Sequence, residues 1–241
     1  AYLKNLSRRL ESLERKTASQ FDAVVPISEP DFRWFSAAAK GKPVFLSETG
    51  VDDAAHLPEP GNENLRVGFI GSMNWQPNID GMKWFIANVW PSVLAQVPDA
   101  TLHIAGRGLD QLAAALPEGK NIIPDGEPED ARTFIASNHV MISPLFAGSG
   151  LRIKIIEAMA VGRPVVATPV AVAGLPVENG RHLAVASDAQ AFCNELVRLL
   201  KEPALRSTMS TAAVKLVRER FDNSIITGRL LKFYTDLTHG G

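Results

Sequence analysis

The sequence predicts an α/β chain: a doubly wound parallel sheet with a partial second domain at the N-terminus. Three observations carry that expectation. From Leu65 onward, runs that read as strands alternate with segments of helical periodicity, and five of the six runs are short and mostly apolar, the pattern of strands covered on both faces. Helices between consecutive strands require right-handed crossovers, hence a parallel sheet with helices on both sides. Glycine-bearing turns follow several of the runs, where strand gives way to helix.

In chain order, residues 2–21 are charged and place Leu3, Leu6, Leu10 and Leu13 at helical spacing. A strand-like run at 23–27, a helix at 31–39 and a second strand-like run at 43–46 follow. Two strands and two helices make a poor independent core, so residues 1–50 read as the last units of a larger domain. Residues 51–64 hold Pro58, Pro60, Gly61, Asn62 and Asn64 among acidic side chains, the composition of a linker. The main domain is expected over 65–222, with strands at 66–70, 101–105, 121–124, 139–143, 164–168 and 182–185. Its helices are expected at 80–96, 109–116, 129–136, 151–161, 188–201 and 203–220. A last helix at 224–237 carries Ile225, Ile226, Leu230, Leu231, Phe233 and Leu237, so residues 223–241 are expected to pack back toward the N-terminal part.

Composition narrows the function classes. The chain has 241 residues, 46% of them apolar, and 25 Lys and Arg against 26 Asp and Glu. That length supports a large core, and a net charge of −1 gives no general attraction to nucleic acid or an anionic membrane, so an anion site must be local. A single cysteine, Cys193, cannot make an internal disulfide or a cysteine-rich metal site and points to a reducing compartment. With no long apolar run and no signal-peptide core, the chain reads as soluble and cytoplasmic, with no integral membrane segment.

In a doubly wound sheet ligands bind beyond the carboxyl ends of the strands. Four loops stand there: Gly71-Ser-Met-Asn-Trp-Gln-Pro-Asn78 after the first strand, Gly106-Arg-Gly108 after the second, Pro124-Asp-Gly126 after the third, and Pro144-Leu-Phe-Ala-Gly-Ser-Gly150 after the fourth. Glycine lets backbone N–H groups approach an anion closely, although each glycine could equally serve the turn alone. The helix after Gly150 is apolar over most of its surface, with Arg152 and Lys154 in its first turn, where the helix N-terminus disfavours cations unless an anion is nearby. Two cations there suit a diphosphate. Glu157 either accepts hydrogen bonds from ribose hydroxyls or pairs with Lys154 at i,i+3. His103, His182, Trp84, Trp90 and Cys193 read as structural, whereas Trp75 lies in a ligand-facing loop and is a candidate to line the cleft.

Several pieces, in order, resemble the retaining glycosyltransferases of the GT4 family, whose GT-B fold faces two Rossmann-like domains across a cleft. They are Gly50-Val-Asp52, Phe69-Ile-Gly-Ser-Met-Asn-Trp75 with Pro77-Asn78, His103-Ile-Ala-Gly106, Pro144 through Glu157-Ala-Met-Ala160, and Gly162-Arg-Pro-Val-Val-Ala-Thr168. The resemblance implies a donor-binding C-terminal half with a remnant of the acceptor half. It further implies transfer from a nucleoside-diphosphate sugar, with no obligatory metal or other cofactor, to a glycan, lipid or small-molecule acceptor. Peripheral membrane contact would come through the remainder of the acceptor domain.

Taken together, the loops and the resemblance imply a donor site of Gly71, Ser72, Asn78, Gly106, Gly126, Gly148, Ser149, Gly150 and Glu157, with Arg152, Lys154 and the Gly71-Ser72 backbone stabilising the leaving diphosphate. The sequence departs from the family pattern where Ser149 replaces the first of two paired glutamates, and where no cation occurs over 72–78. A branch of the family has GSGxRxK instead, matched by Gly148, Ser149, Gly150, Arg152 and Lys154. A sugar-nucleotide epimerase of the same fold and a non-catalytic nucleotide-sugar or glycan module are the alternatives. No GxGxxG follows the first strand, which disfavours a dinucleotide dehydrogenase.

Overall fold

The computed structural model describes residues 2–39, 41–52, 54–61, 65–113, 121–148 and 150–239. The chain divides into two compact units, Ala1–Gly50 with Asn223–Gly241, and Val51–Asp222.

The smaller unit begins with α1 (Tyr2–Ala18) and α2 (Glu29–Ala38). Ser28 caps α2 by accepting a hydrogen bond from the Asp31 N–H, and Pro30 sits where a helix start lacks a use for its missing donor. The runs at 23–27 and 43–46 meet in a parallel bridge between Val24 and Val44 rather than as full strands.

The larger unit runs β1 (Arg66–Ile70), α3 (Gln76–Asn88), α4 (Trp90–Gln96), β2 (Thr101–Ala105), α5 (Asp110–Ala113) and β3 (Ile122–Gly126). It continues with α6 (Ala131–Ala136), β4 (Val140–Ser143), α7 (Ile153–Ala160), β5 (Val165–Ala167), β6 (Ala184–Val185), α8 (Ala189–Lys201) and α9 (Pro203–Arg220). The last helix, α10 (Asn223–His239), returns to the smaller unit, where Phe233 stacks on Phe45 with ring centroids 4.9 Å apart.

All strand pairs are parallel, and the sheet order is β3-β2-β1-β4-β5-β6. The doubly wound reading holds. Successive residues alternate between faces: Val67, Phe69, Leu102, Ile104, Val140 and Ile142 share one buried cluster with residues of α3, α4 and α8. Met141, Val165 and Ala167 share the opposite cluster with residues of α6, α7 and α9. Trp90 is fully buried in the first cluster, and Trp84 meets Phe146 and Phe192 edge-on at 4.7 and 5.9 Å.

Three departures from expectation have a reason visible in the backbone; besides them, the last strand is shorter than expected, Ala184–Val185, and residues 114–116 of the helix expected at 109–116 lie outside the described residues. The helix expected at 80–96 is two. Pro77 allows α3 to start early, so Asn78 lies in its first turn rather than in a loop; Pro91 cannot donate to a preceding carbonyl, and the chain breaks at Val89 before α4. The Pro124-Asp-Gly126 segment is strand rather than loop, because β3 is an edge strand that tolerates a missing N–H and its register shifts opposite Ile104 and Ala105. Ahead of α7, Gly148 and Gly150 take φ of +114° and +85°, and the helix begins only at Ile153, with Arg152 as its N-cap residue.

Residues 54–61 are held against the larger unit by buried arginines. Arg163, fully buried, donates to the carbonyls of Leu57 (3.0 Å), Pro58 and Ala136 (2.9 Å). Arg206, also fully buried, binds Glu59 through two nitrogens at 2.8 and 3.1 Å and donates to the Leu199 and Leu200 carbonyls. Arg218 donates to Ala54 O at 2.7 Å. Guanidinium groups removed from water are tolerable here because carbonyls and a carboxylate take up their N–H groups.

Burial holds His103, His139 and His182 below the ordinary histidine pKa, reinforced at His139 by Arg206 and at His182 by Arg181. In the unfolded chain each would take up a proton near pH 6.5 that the folded state refuses, so stability is full above that pH and falls as pH drops below it. Burial works to raise the Glu59 pKa, but the hydrogen bond and charge of Arg206 outweigh it and hold the group low, so its contribution is lost only under more acid conditions. The melting temperature should therefore fall steadily from about pH 7.5 to about pH 5. A flat profile in a calorimetric pH series would contradict the neutral buried histidines.

Candidate functional site

The strand order reverses between β1 and β4, and there the sequences after the two strands diverge onto opposite faces of the sheet. A cavity of about 290 Å³ lies at that point, walled by the ends of both strands and the start of α7. Gly71, Ser72, Trp75 and Asn78 line it from the β1 side, and Ser143, Leu145, Leu151, Arg152, Ile153 and Lys154 from the β4 side.

Backbone contacts shape the β1 side. The Gly71 N–H donates to Ala105 O at 3.0 Å, and Met73 N–H to Arg107 O at 2.8 Å, so the loop continues the β1–β2 ladder beyond the strand. Asn78, from the first turn of α3, donates its side-chain amide to Ser72 O at 2.8 Å. Gly106, at φ +136°, lets this loop and the next pass in contact: a Cβ there would overlap the Gly71 carbonyl, and its own N–H donates to Gly126 O at 2.8 Å. Both glycine N–H groups are thus committed within the protein.

On the β4 side, Arg152 stands at the α7 N-terminus with its guanidinium over the Trp75 ring, 5.4 Å from the centroid, and burial lowers its pKa. Lys154 Nζ lies 3.0 Å from Glu157 Oε2. That ion pair is close but lacks hydrogen-bond geometry, and Oε2 is buried with no hydrogen-bond partner. Such a half-exposed pair contributes only about 0.2–0.5 kcal/mol.

Of the residues singled out by sequence, Gly71, Ser72, Asn78, Arg152 and Lys154 share the cavity wall. Glu157 stands one turn behind Lys154, Gly106 and Gly126 belong to the neighbouring loops, and Gly148 and Gly150 lead into α7; none of these five lines the cavity. Ser149 lies outside the described residues. His103 is a satisfied core residue: Nδ1 sits 2.9 Å from Asp125 and 3.1 Å from Arg66, and Nε2 3.2 Å from Thr101. Among the described residues no group of three His, Cys, Asp or Glu is placed to hold a metal, and no helix is long and apolar enough to cross a membrane. The sequence reading missed Gly81, an interior position of α3 whose absent side chain lets the helix touch the Pro144 carbonyl. Glycine inside an otherwise regular helix was its one available signal.

A parallel sheet of this order, with a cavity at its switch point framed by glycine loops, is the kind of domain from which GT-B enzymes are built. Residues 64–202 match the family described as "Glycosyl transferases group 1", and the chain belongs to that family. It is 31% identical over 159 residues to a phosphatidyl-myo-inositol mannosyltransferase of Mycobacterium leprae, covering 63% of this chain and 42% of that protein. Among solved structures, TarM of S. aureus, in a complex with UDP, has a TM-score of 0.77 at 17% identity over 92% of this chain and 45% of its own. Anabaena Alr3699/HepE, in complex with UDP and glucose, has a TM-score of 0.74 at 19% identity over 94% of this chain and 66% of its own. At such identities the likeness is one of fold. The chain spans about half the length of the curated relatives it matches.

Gly81→Ala should drive a methyl group into the Pro144 carbonyl and lower stability by about 1–3 kcal/mol, as overpacking does. At Gly228, in α10, a Cβ meets nothing within 4 Å, so the same change should be neutral or stabilising by up to about 1 kcal/mol. Denaturant melts of the two variants check the contrast.

Proposed function

We propose that the protein transfers a glycosyl group with retention from a nucleoside-diphosphate sugar, and that Val51–Asp222 is its donor-binding part. One observation supports this most: Arg152 and Lys154, at the N-terminus of α7, line the same switch-point cavity as Ser72 and Asn78. Cations at a helix N-terminus are unfavourable until an anion arrives, and a diphosphate both satisfies them and gains from the helix dipole. A mannosyltransferase among the relatives and UDP-bound proteins among the neighbours in fold support the same class of ligand.

In this reading catalysis is electrostatic. Arg152 and Lys154 stabilise the charge that grows on the departing diphosphate, the group whose stabilisation falls mainly to preorganised donors. The Ser72 side of the cavity closes on the opposite flank, Gly148 and Gly150 lead the backbone into α7 beside the ligand, and the loops of Gly106 and Gly126 border the site. Glu157 accepts from the ribose hydroxyls, exchanging its weak pairing with Lys154 for charge-assisted hydrogen bonds as Lys154 turns to phosphate. No metal is required, because two cationic side chains supply the charge. The acceptor, a glycan, lipid or small molecule, is positioned by a second domain to which Ala1–Gly50 and α10 belong, and such positioning accounts for about 7–11 kcal/mol of a barrier.

Replacing both Arg152 and Lys154 with Ala should weaken nucleoside-diphosphate binding by several kcal/mol, read by calorimetry with UDP, GDP and ADP. Unchanged affinity would remove the assignment. Glu157→Gln should cost about 1–2 kcal/mol with ribonucleotides, and nothing further with 2′,3′-dideoxy analogues. A parent protein that binds both sugars' diphosphates equally would mark Glu157 as structural.

A further inference from the structure

Trp75 has no structural task of the usual kinds. It is the N-cap residue of α3 but makes no side-chain capping bond, it belongs to neither buried cluster, and it is 39% exposed. Its ring instead meets the guanidinium of Arg152, 5.4 Å from centroid to carbon, across the mouth of the cavity that both residues line. Gly148 completes the contact: a Cβ there would stand 2.6 Å from an Arg152 terminal nitrogen and 2.9 Å from Trp75 Cη2 and Cζ2, so the absent side chain leaves the space in which ring and cation meet. Residues from the segments after β1 and after β4 thus converge on one cation–π pair.

We propose that Trp75 is a positioning residue for the donor diphosphate, holding the Arg152 guanidinium over its indole face so that the cation stands at the cavity wall before the ligand arrives. This rests on the diphosphate reading above. The helix N-terminus and partial burial both work against a cation at position 152, and the electron-rich indole face offsets them. The attraction to the ring is a charge–quadrupole contact that uses up none of the N–H donors in the way a hydrogen bond would, so an arginine held in this way can still donate to phosphate oxygens. A long side chain held in one orientation loses less rotational freedom when the ligand binds.

The test is a double-mutant cycle on the full chain, read as calorimetric affinity for UDP, GDP and ADP. Trp75→Leu should weaken the best-bound diphosphate about fivefold, and Trp75→Phe, which keeps an aromatic face, should stay within about twofold of the parent. In an Arg152→Ala background Trp75→Leu should cost nothing more. If Trp75→Leu costs as much without Arg152 as with it, or if both Trp75 variants bind like the parent, the positioning role is overturned while the diphosphate site stands. If the parent binds none of the three nucleotides, the diphosphate reading itself falls, and this inference with it. Melting curves of the variants separate loss of fold from loss of affinity, and Trp75→Met, which also lacks an aromatic face, takes the place of Trp75→Leu if Leu unfolds the loop.

Discussion

The reversal of strand order at β1 and β4 is the constraint on which the rest of the larger unit depends. Chain leaving β1 packs as α3 on one face of the sheet, and chain leaving β4 packs as α7 on the other. No connection can cover the strand ends between them, so a cavity is a geometric result of the winding rather than an addition to it. What the sequence then supplies is clearance. Gly81 lets α3 approach Pro144, Gly106 lets two adjacent loops touch, and Gly148 opens room beneath the mouth of the cavity. Each is a place where a methyl group would push the walls apart or fill the entrance.

Much of this was legible because burial on both faces leaves a plain mark: uninterrupted apolar strands such as Val165–Ala167 admit few other readings. Proline was harder to read than apolarity. Pro77 starts a helix, Pro91 divides one and Pro124 sits within an edge strand, and the outcome depends on which N–H the local geometry can spare. The group 1 kinship was visible in the order of motifs around Gly71, Gly148 and Glu157, and the family match upholds it. The parts of the cavity contributed by Leu145, Leu151 and Ile153 were not visible, since apolar residues lining a cavity have the same sequence signature as those filling a core.

Arginine shows why residue type alone could not separate binding from scaffolding. Arg163 lies in the Gly162-Arg-Pro stretch that marks the family, yet it is fully buried and spends its donors on backbone carbonyls of residues 57, 58 and 136. Arg206 lies in α9, outside every motif singled out in the sequence, and is buried just as completely against Glu59. Arg152, by contrast, lies against an aromatic ring at the entrance of a cavity. Whether a guanidinium meets carbonyls, a carboxylate or an indole is decided by chain segments distant in sequence, and no local pattern records that.

The arginine clamp on residues 54–61 also sets where this domain can be cut and exchanged. A chimera joined at Leu65, where the apolar pattern begins, would retain Arg163 and Arg206 but replace the carbonyls and the carboxylate that they hold. Two buried cations would lose acceptors at once, and the graft would inherit a fault far from its seam. A junction placed ahead of Val51 would carry clamp and clamped segment together. When such a domain is shuffled, the heritable module is therefore longer at its N-terminal edge than the first strand of its sheet.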